Sequence, residues 1–202
     1  MAASKTIICN RALHFIGIGE EIASINERSP EAEACLLFYD DTLDELLREF
    51  PWPFARRRVS LALVSDEDTA YNSEFYFAYR YPSDALYIRR IASGSIPDTS
   101  ETLIRYQISS DDSGLLLLTN EADVEIDYTA RITDTQLFPV DFGMALSYRL
   151  AAYIAPRLAE DPSKAGQIAM RGYQFSIEKA RNMAASEESE GPPPMSSFQR
   201  AR

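Results

Sequence analysis

Glu49-Phe50-Pro51-Trp52-Pro53-Phe54-Ala55-Arg56-Arg57-Arg58 is the stretch on which the fold turns. Its two prolines lack the N–H a helix interior needs, so they stop whatever helix runs into them. The rings between them have the bulk to close an apolar core, and the basic triplet opens a segment of different character. Upstream, Ala32, Cys35, Leu36, Tyr39, Leu43, Leu46, Leu47 and Phe50 recur at the i, i+3, i+4, i+7 spacing of one helix face. Ser29 is placed to cap that helix, Pro30 suits its first position, and Glu31 and Glu33 favour the positive end of its dipole. A shorter helix is expected over residues 4 to 17, with Ile8, Ala12, Phe15 and Ile16 on one face, broken by Gly17 and Gly19.

Downstream, from about residue 58 to 132, the period changes. β-rich runs occur at Val59 to Val64, Phe75 to Tyr81, Leu86 to Ile91, Leu103 to Ile108, Leu115 to Thr119 and Val124 to Ile132. Turn clusters separate several of them: Ser65-Asp66-Glu67-Asp68, Ser93-Gly94-Ser95-Ile96-Pro97 and Ser109-Ser110-Asp111-Asp112-Ser113-Gly114. These runs are expected to form one antiparallel sheet inserted between helical segments. Helical spacing returns after Phe138-Pro139, with Phe142, Ala145, Leu146, Leu150, Tyr153, Ile154 and Leu158 on one stripe, interrupted by Pro156. A last helix opens at Asp161-Pro162-Ser163, with Met170, Tyr173, Ile177, Ala180 and Ala184 inward and Lys179 and Arg181 toward its negative end.

The expected class is therefore α+β: a helical bundle formed by N- and C-terminal helices, an inserted antiparallel β region and a flexible C-terminal tail. The boundaries fall at 1–57 and 135–190 for the helical body, 58–134 for the insertion and 191–202 for the tail. That tail, Gly-Pro-Pro-Pro-Met-Ser-Ser-Phe-Gln-Arg-Ala-Arg, has no acid and two arginines and cannot build a core, so it is either a frayed end or a segment ordered by a partner.

A chain of 202 residues, 46% hydrophobic, can bury a sizeable core as one domain. No apolar run approaches the roughly 18 residues of a membrane helix, and the N-terminus is unlike a secretory signal. Cys9 and Cys35 sit among apolar neighbours and read as reduced, structural thiols. A single histidine, His14, without a Cys-x-x-Cys motif argues against a metal site. The net charge of −11 argues against tight nucleic-acid binding, yet an acidic wall would keep a passing duplex from sticking.

Enzyme signatures are sparse. There is no Gly-x-Ser-x-Gly elbow and no phosphate-binding loop, and Gly17-Ile18-Gly19 lacks the third glycine of a dinucleotide fingerprint. Asp66-Glu67-Asp68 and Asp111-Asp112 are the only candidates for a carboxylate acid/base pair, in turns where solvated acids are the ordinary finding. No catalytic residue, cofactor site or metal ligand is assigned. Arg56-Arg57-Arg58 is read as solvated or intersubunit in preference to phosphate-binding. Trp52 and Phe54 read as a lid on the helical core. Tyr71, Phe75, Tyr76, Phe77, Tyr79, Tyr81 and Tyr87 are dense enough that some rings are expected at a partner interface, strand propensity being the plainer explanation.

Leu13-His14-Phe15-Ile16-Gly17 closing a first helix, Phe50-Pro51-Trp52-Pro53-Phe54 closing a second, and Tyr81-Pro82-Ser83-Asp84 within a β insertion come in an order that resembles the head-to-tail adaptors of short-tailed bacteriophages, the tail tubular protein A family. The resemblance spans most of residues 5 to 188. It implies a virion structural protein, not an enzyme, without cofactor. It also implies a dodecameric ring between the portal protein and the tail nozzle protein (tail tubular protein B), assembled in the host cytoplasm, with genomic DNA passing through the lumen. The tail would reach the portal, placing Pro192, Pro193, Pro194, Phe198, Arg200 and Arg202 at that contact, and the β insertion would face the nozzle. The alternative from a different class is a cell-wall (peptidoglycan) hydrolase of the phage tail, for which the acidic turns supply the candidates.

Overall fold

A computed structural model describes residues 4–65, 74–92 and 104–187. The elements run α1 (Lys5–Phe15), α2 (Pro30–Glu49), a 3-10 turn (Pro53–Ala55), β1 (Arg56–Ser60), β2 (Leu63–Ser65), β3 (Phe77–Arg80), β4 (Ala85–Ile91), β5 (Tyr106–Asp111), β6 (Gly114–Thr119), β7 (Glu125–Ala130), a second 3-10 turn (Thr135–Leu137), α3 (Val140–Leu158) and α4 (Pro162–Glu187). The class is α+β, with the sheets inserted between the first and second pairs of helices.

Helix ends follow local chemistry. The Ser4 side chain accepts from the Ile7 amide, Ser29 from Ala32, and Asp161 from Lys164, each satisfying a donor that the first helical turn leaves over. Phe50 turns extended at the end of α2, ahead of Pro51. Pro156 does not interrupt α3, as the sequence suggested; the helix carries it and ends two residues later at Leu158. So close to the end, the missing N–H costs one hydrogen bond and leaves no long segment to kink.

Helix α3 is central, packing against α1, α2 and α4. Its inward stripe, Phe142, Ala145, Leu146, Leu150 and Ile154, is fully buried, as are Ile8, Leu13, Leu43, Leu46 and Leu47 from the first two helices. Expected core positions that fail are Leu36, 53% exposed beside Leu37 at 62%, and Met170, exposed on α4. Tyr153, also expected inward, is partly exposed and instead reaches across to α2. Cys9 and Cys35 are free and buried, and their contact together with burial pushes the Cys9 thiol pKa up.

The β insertion forms two antiparallel sheets where one was expected, ordered β1-β7-β4 and β2-β3-β6-β5. The single run read from Val59 to Val64 divides at Leu61-Ala62. The Leu61 amide donates to Val124, while the Ala62 carbonyl accepts from Arg80, so the chain passes from one sheet to the other. Strand β6 serves both sides of its sheet: Leu117 joins the main core, and Leu116 and Leu118 join Phe75 and Ala78 in a small second cluster. The expected six-residue turn at 109–114 shrinks to Asp112-Ser113, with Gly114 at φ +134° where glycine is favoured.

Candidate interaction surfaces

At the middle of the three-stranded sheet lies Asp127, its side chain 3% exposed. Strand alternation puts Arg56 and Arg58 on the same face of β1, and the register sets Arg58 opposite Asp127 on β7 and Arg90 of β4 opposite it on the other side. Arg58 donates to both carboxylate oxygens at 2.6 and 2.8 Å, Arg90 to one at 2.8 Å and Arg56 to one at 3.3 Å. These bonds, Arg58 foremost, overcome burial and hold the Asp127 pKa well below the usual carboxylate range. Each arginine of the triplet thus has a carboxylate partner within its own chain while its side chain stays about half exposed, so the expected solvation is met alongside pairing that the sequence did not show.

Arg57 points to the opposite face, where it donates to Asp84 at 2.7 Å, and Asp84 also accepts from the Tyr128 hydroxyl at 3.1 Å. This side opens on a cleft of about 700 Å³ between the two sheets, lined by Arg57, Val59, Arg80, Asp84, Leu115 and Tyr128 among others. Arg80 forks onto Asp111 with two bonds of 2.8 Å. That pairing, led by the Arg80 bonds, lowers the Asp111 pKa to about 2. Asp111 is therefore an ion-pair partner rather than one of two coupled acids, while Asp112 is exposed. Asp66, Glu67 and Asp68 lie outside the described residues.

The insertion is fastened to the helices by Arg89. Its guanidinium donates to the carbonyls of Arg48 at 2.9 Å and Phe50 at 2.8 Å, and to Thr129 at 2.8 Å. It sits at the negative end of α2, where a cation satisfies terminal carbonyls and complements the dipole. Helix α2 is tied to its neighbours in the same manner. Glu45 accepts from Arg149 and Tyr153 of α3, and Glu49 from Tyr173 and Arg181 of α4. Burial works to raise the Glu45 pKa, but its donors prevail and it is lowered.

The aromatic lid is present as read. Trp52 is 1% exposed, donates to the Leu46 carbonyl at 2.8 Å and packs edge-on against Phe50 and Phe142. In the tyrosine-rich stretch Phe75 and Tyr79 are buried, whereas Tyr76 and Tyr87 are exposed and available to a partner. Tyr71 lies outside the described residues, as do all the tail positions singled out, Pro192, Pro193, Pro194, Phe198, Arg200 and Arg202.

The positions that sequence reading missed are Asp127, Arg80, Arg89 and Glu45. Asp127 carries a signal, a charge at an inward step of an otherwise apolar strand, which announces a partner without saying where it stands, whereas the other three are partly exposed and carry no such mark. Among the described residues no helix is long and apolar enough to cross a membrane, and no group of histidines, cysteines and acids is placed to hold a metal. The chain matches no model of a known protein family, and a search of curated proteins finds no match.

Proposed function

We propose that the chain is a head-to-tail adaptor of a bacteriophage particle, a structural subunit of a ring between portal and tail nozzle through which the genome passes. The observation that carries this reading is the use made of its carboxylates. Asp127, Asp111, Asp84, Glu45 and Glu49 are each bound by arginine from another element. Polar chemistry here locks strand to strand and helix to helix. General acid catalysis by a carboxyl, as a glycan hydrolase needs, calls for a raised pKa, and Asp111 is driven the other way. The net charge of −11 suits a conduit wall that repels a moving duplex. On this reading the tail, with Phe198, Arg200 and Arg202, contacts the portal, and the β insertion faces the nozzle.

The test is light scattering and electron microscopy of the protein with and without a portal ring from the same genome. A ring stacked on the portal supports the assignment, and removal of residues 191–202 is expected to weaken attachment while leaving the fold intact. Failure of the full chain to bind the portal overturns the assignment. Undiminished attachment of the truncated chain overturns the role given to the tail.

A further inference from the structure

We propose that the outward face of α4 docks on the outward face of α2 in a second copy of the chain. Lys164, Ile168, Arg171 and Phe175 follow at steps of four, three and four residues and so share one stripe. That stripe points away from the buried line of Ala165, Ala169, Tyr173 and Ile177. Its apolar members are uncovered, Ile168 at 50% and Phe175 at 74% exposure. The helix's other cations, Lys179 and Arg181, are tied inward to Asp141 and Glu49, whereas Lys164 and Arg171 have no ion pair among the described residues.

The complement stands on α2. Glu33, Leu37, Asp41 and Arg48 lie along its exposed side, and Leu37 is 62% exposed. With the two helices side by side and running in the same direction, Lys164 meets Glu33, Ile168 meets Leu37, Arg171 meets Asp41, and Glu178, one turn beyond Phe175, meets Arg48. The reverse direction sets Lys164 against Arg48 and Glu178 against Glu33, so like-charge repulsion selects the parallel register. Glu33 already holds Arg157 at 3.2 Å, but with both side chains about half exposed that pair can share a further cation. The Ile168–Leu37 contact supplies the apolar part of the attraction and the charges fix direction, with Phe175 falling opposite Asp44 and Glu45. Because the two faces differ, the contact is heterologous, the kind that propagates from copy to copy and closes into a ring when the rotation permits. The inference supplies the subunit contact that the adaptor reading requires, and it is tested apart from the portal.

The experiment uses the full chain at up to about 1 mM, the weak end of specific association. Sedimentation should show concentration-dependent association that declines with added salt. Lys164→Glu with Arg171→Glu should weaken it at least about tenfold, and mixing that variant with Asp41→Lys should recover part of the loss. Ile168→Cys mixed with Leu37→Cys and treated with a short bis-maleimide should yield a 168–37 link. Cys9 and Cys35, fully buried, stay out of the reaction. Monomer at every concentration with no such link, or a 168–168 link, overturns the proposal. Portal binding without the 168–37 link leaves the adaptor reading standing and removes this contact; the link without portal binding does the reverse.

Discussion

Helix α3 and strand β7 each occupy the middle of their part of the molecule, and they are buried by different means. Around α3 the hidden side chains are Phe142, Leu146, Leu150 and Ile154, and what they need from neighbours is volume. Around β7 the side chain of Asp127 is nearly as hidden, and what it needs is charge from β1 and β4. The helical body should therefore respond most to changes of size, with Glu45 adding a dependence on acid pH, while the three-stranded sheet should tolerate small changes of volume and fail when a charge is removed.

The sharpest way to break that contrast is Trp52→Ala. With the ring 1% exposed and bonded to Leu46, its loss should cost about 3–5 kcal/mol, read as a lowered denaturant midpoint. An unchanged midpoint would mean that the body does not depend on its lid. Next comes Asp127→Asn, which leaves three arginines around a neutral group and should cost about 2–3 kcal/mol, since the arginines stay partly solvated. Hydrogen exchange should quicken in β1, β4 and β7 and hardly change in α3. The pH dependence has a definite sign. With its folded pKa below the ordinary 3.8, Asp127 lends stability that is complete above about pH 4 and is lost as pH falls further. The Asn variant should accordingly show a flatter acid limb, and an identical limb would remove Asp127 as its source.

Smaller in size, Gly172→Ala tests the body's demand for volume. An added Cβ would stand 2.3 Å from the Tyr148 ring, itself stacked on Phe15 at 3.8 Å, so a loss of about 1–2 kcal/mol is expected. A thermal shift that matches wild type would show that Tyr148 can swing away freely. The mildest change is Arg80→Ala. Its fork with Asp111 is solvated, and the denaturant midpoint should fall only slightly, with greater sensitivity to salt in wild type than in the variant.

The helices were legible because their signals are local. Ser29-Pro30 and Asp161-Pro162 mark starts, and the spacing from Ala32 to Leu47 marks a buried face. Leu36 satisfies that spacing and is still exposed, because periodicity reports which face a residue lies on and says nothing of how far the covering neighbours extend. The division into two sheets was illegible for a related reason. Val59 to Val64 reads as one strand by composition, and only the pairing of Leu61 with Val124 and Ala62 with Arg80 separates it. The arginine triplet was visible at once, but its partner Asp127 stands 69 residues from Arg58, beyond the reach of any local pattern. The cleft between the sheets could not be foreseen before the sheets themselves were distinguished.

Arg89 also imposes an order in time. The residue that satisfies the last carbonyls of α2 lies 41 positions after Arg48. A growing chain emerges N-terminus first, so α2 is made, and is free to coil, well before its capping arginine has been translated. Until β4 arrives the carbonyls of Arg48 and Phe50 are left to water, and Trp52, donating to Leu46, is the local hold on the end of that helix. The completed insertion thus finishes a helix begun long before it, and a chain halted between the two, still without α3 and α4, would hold α2 open at its C-terminal end.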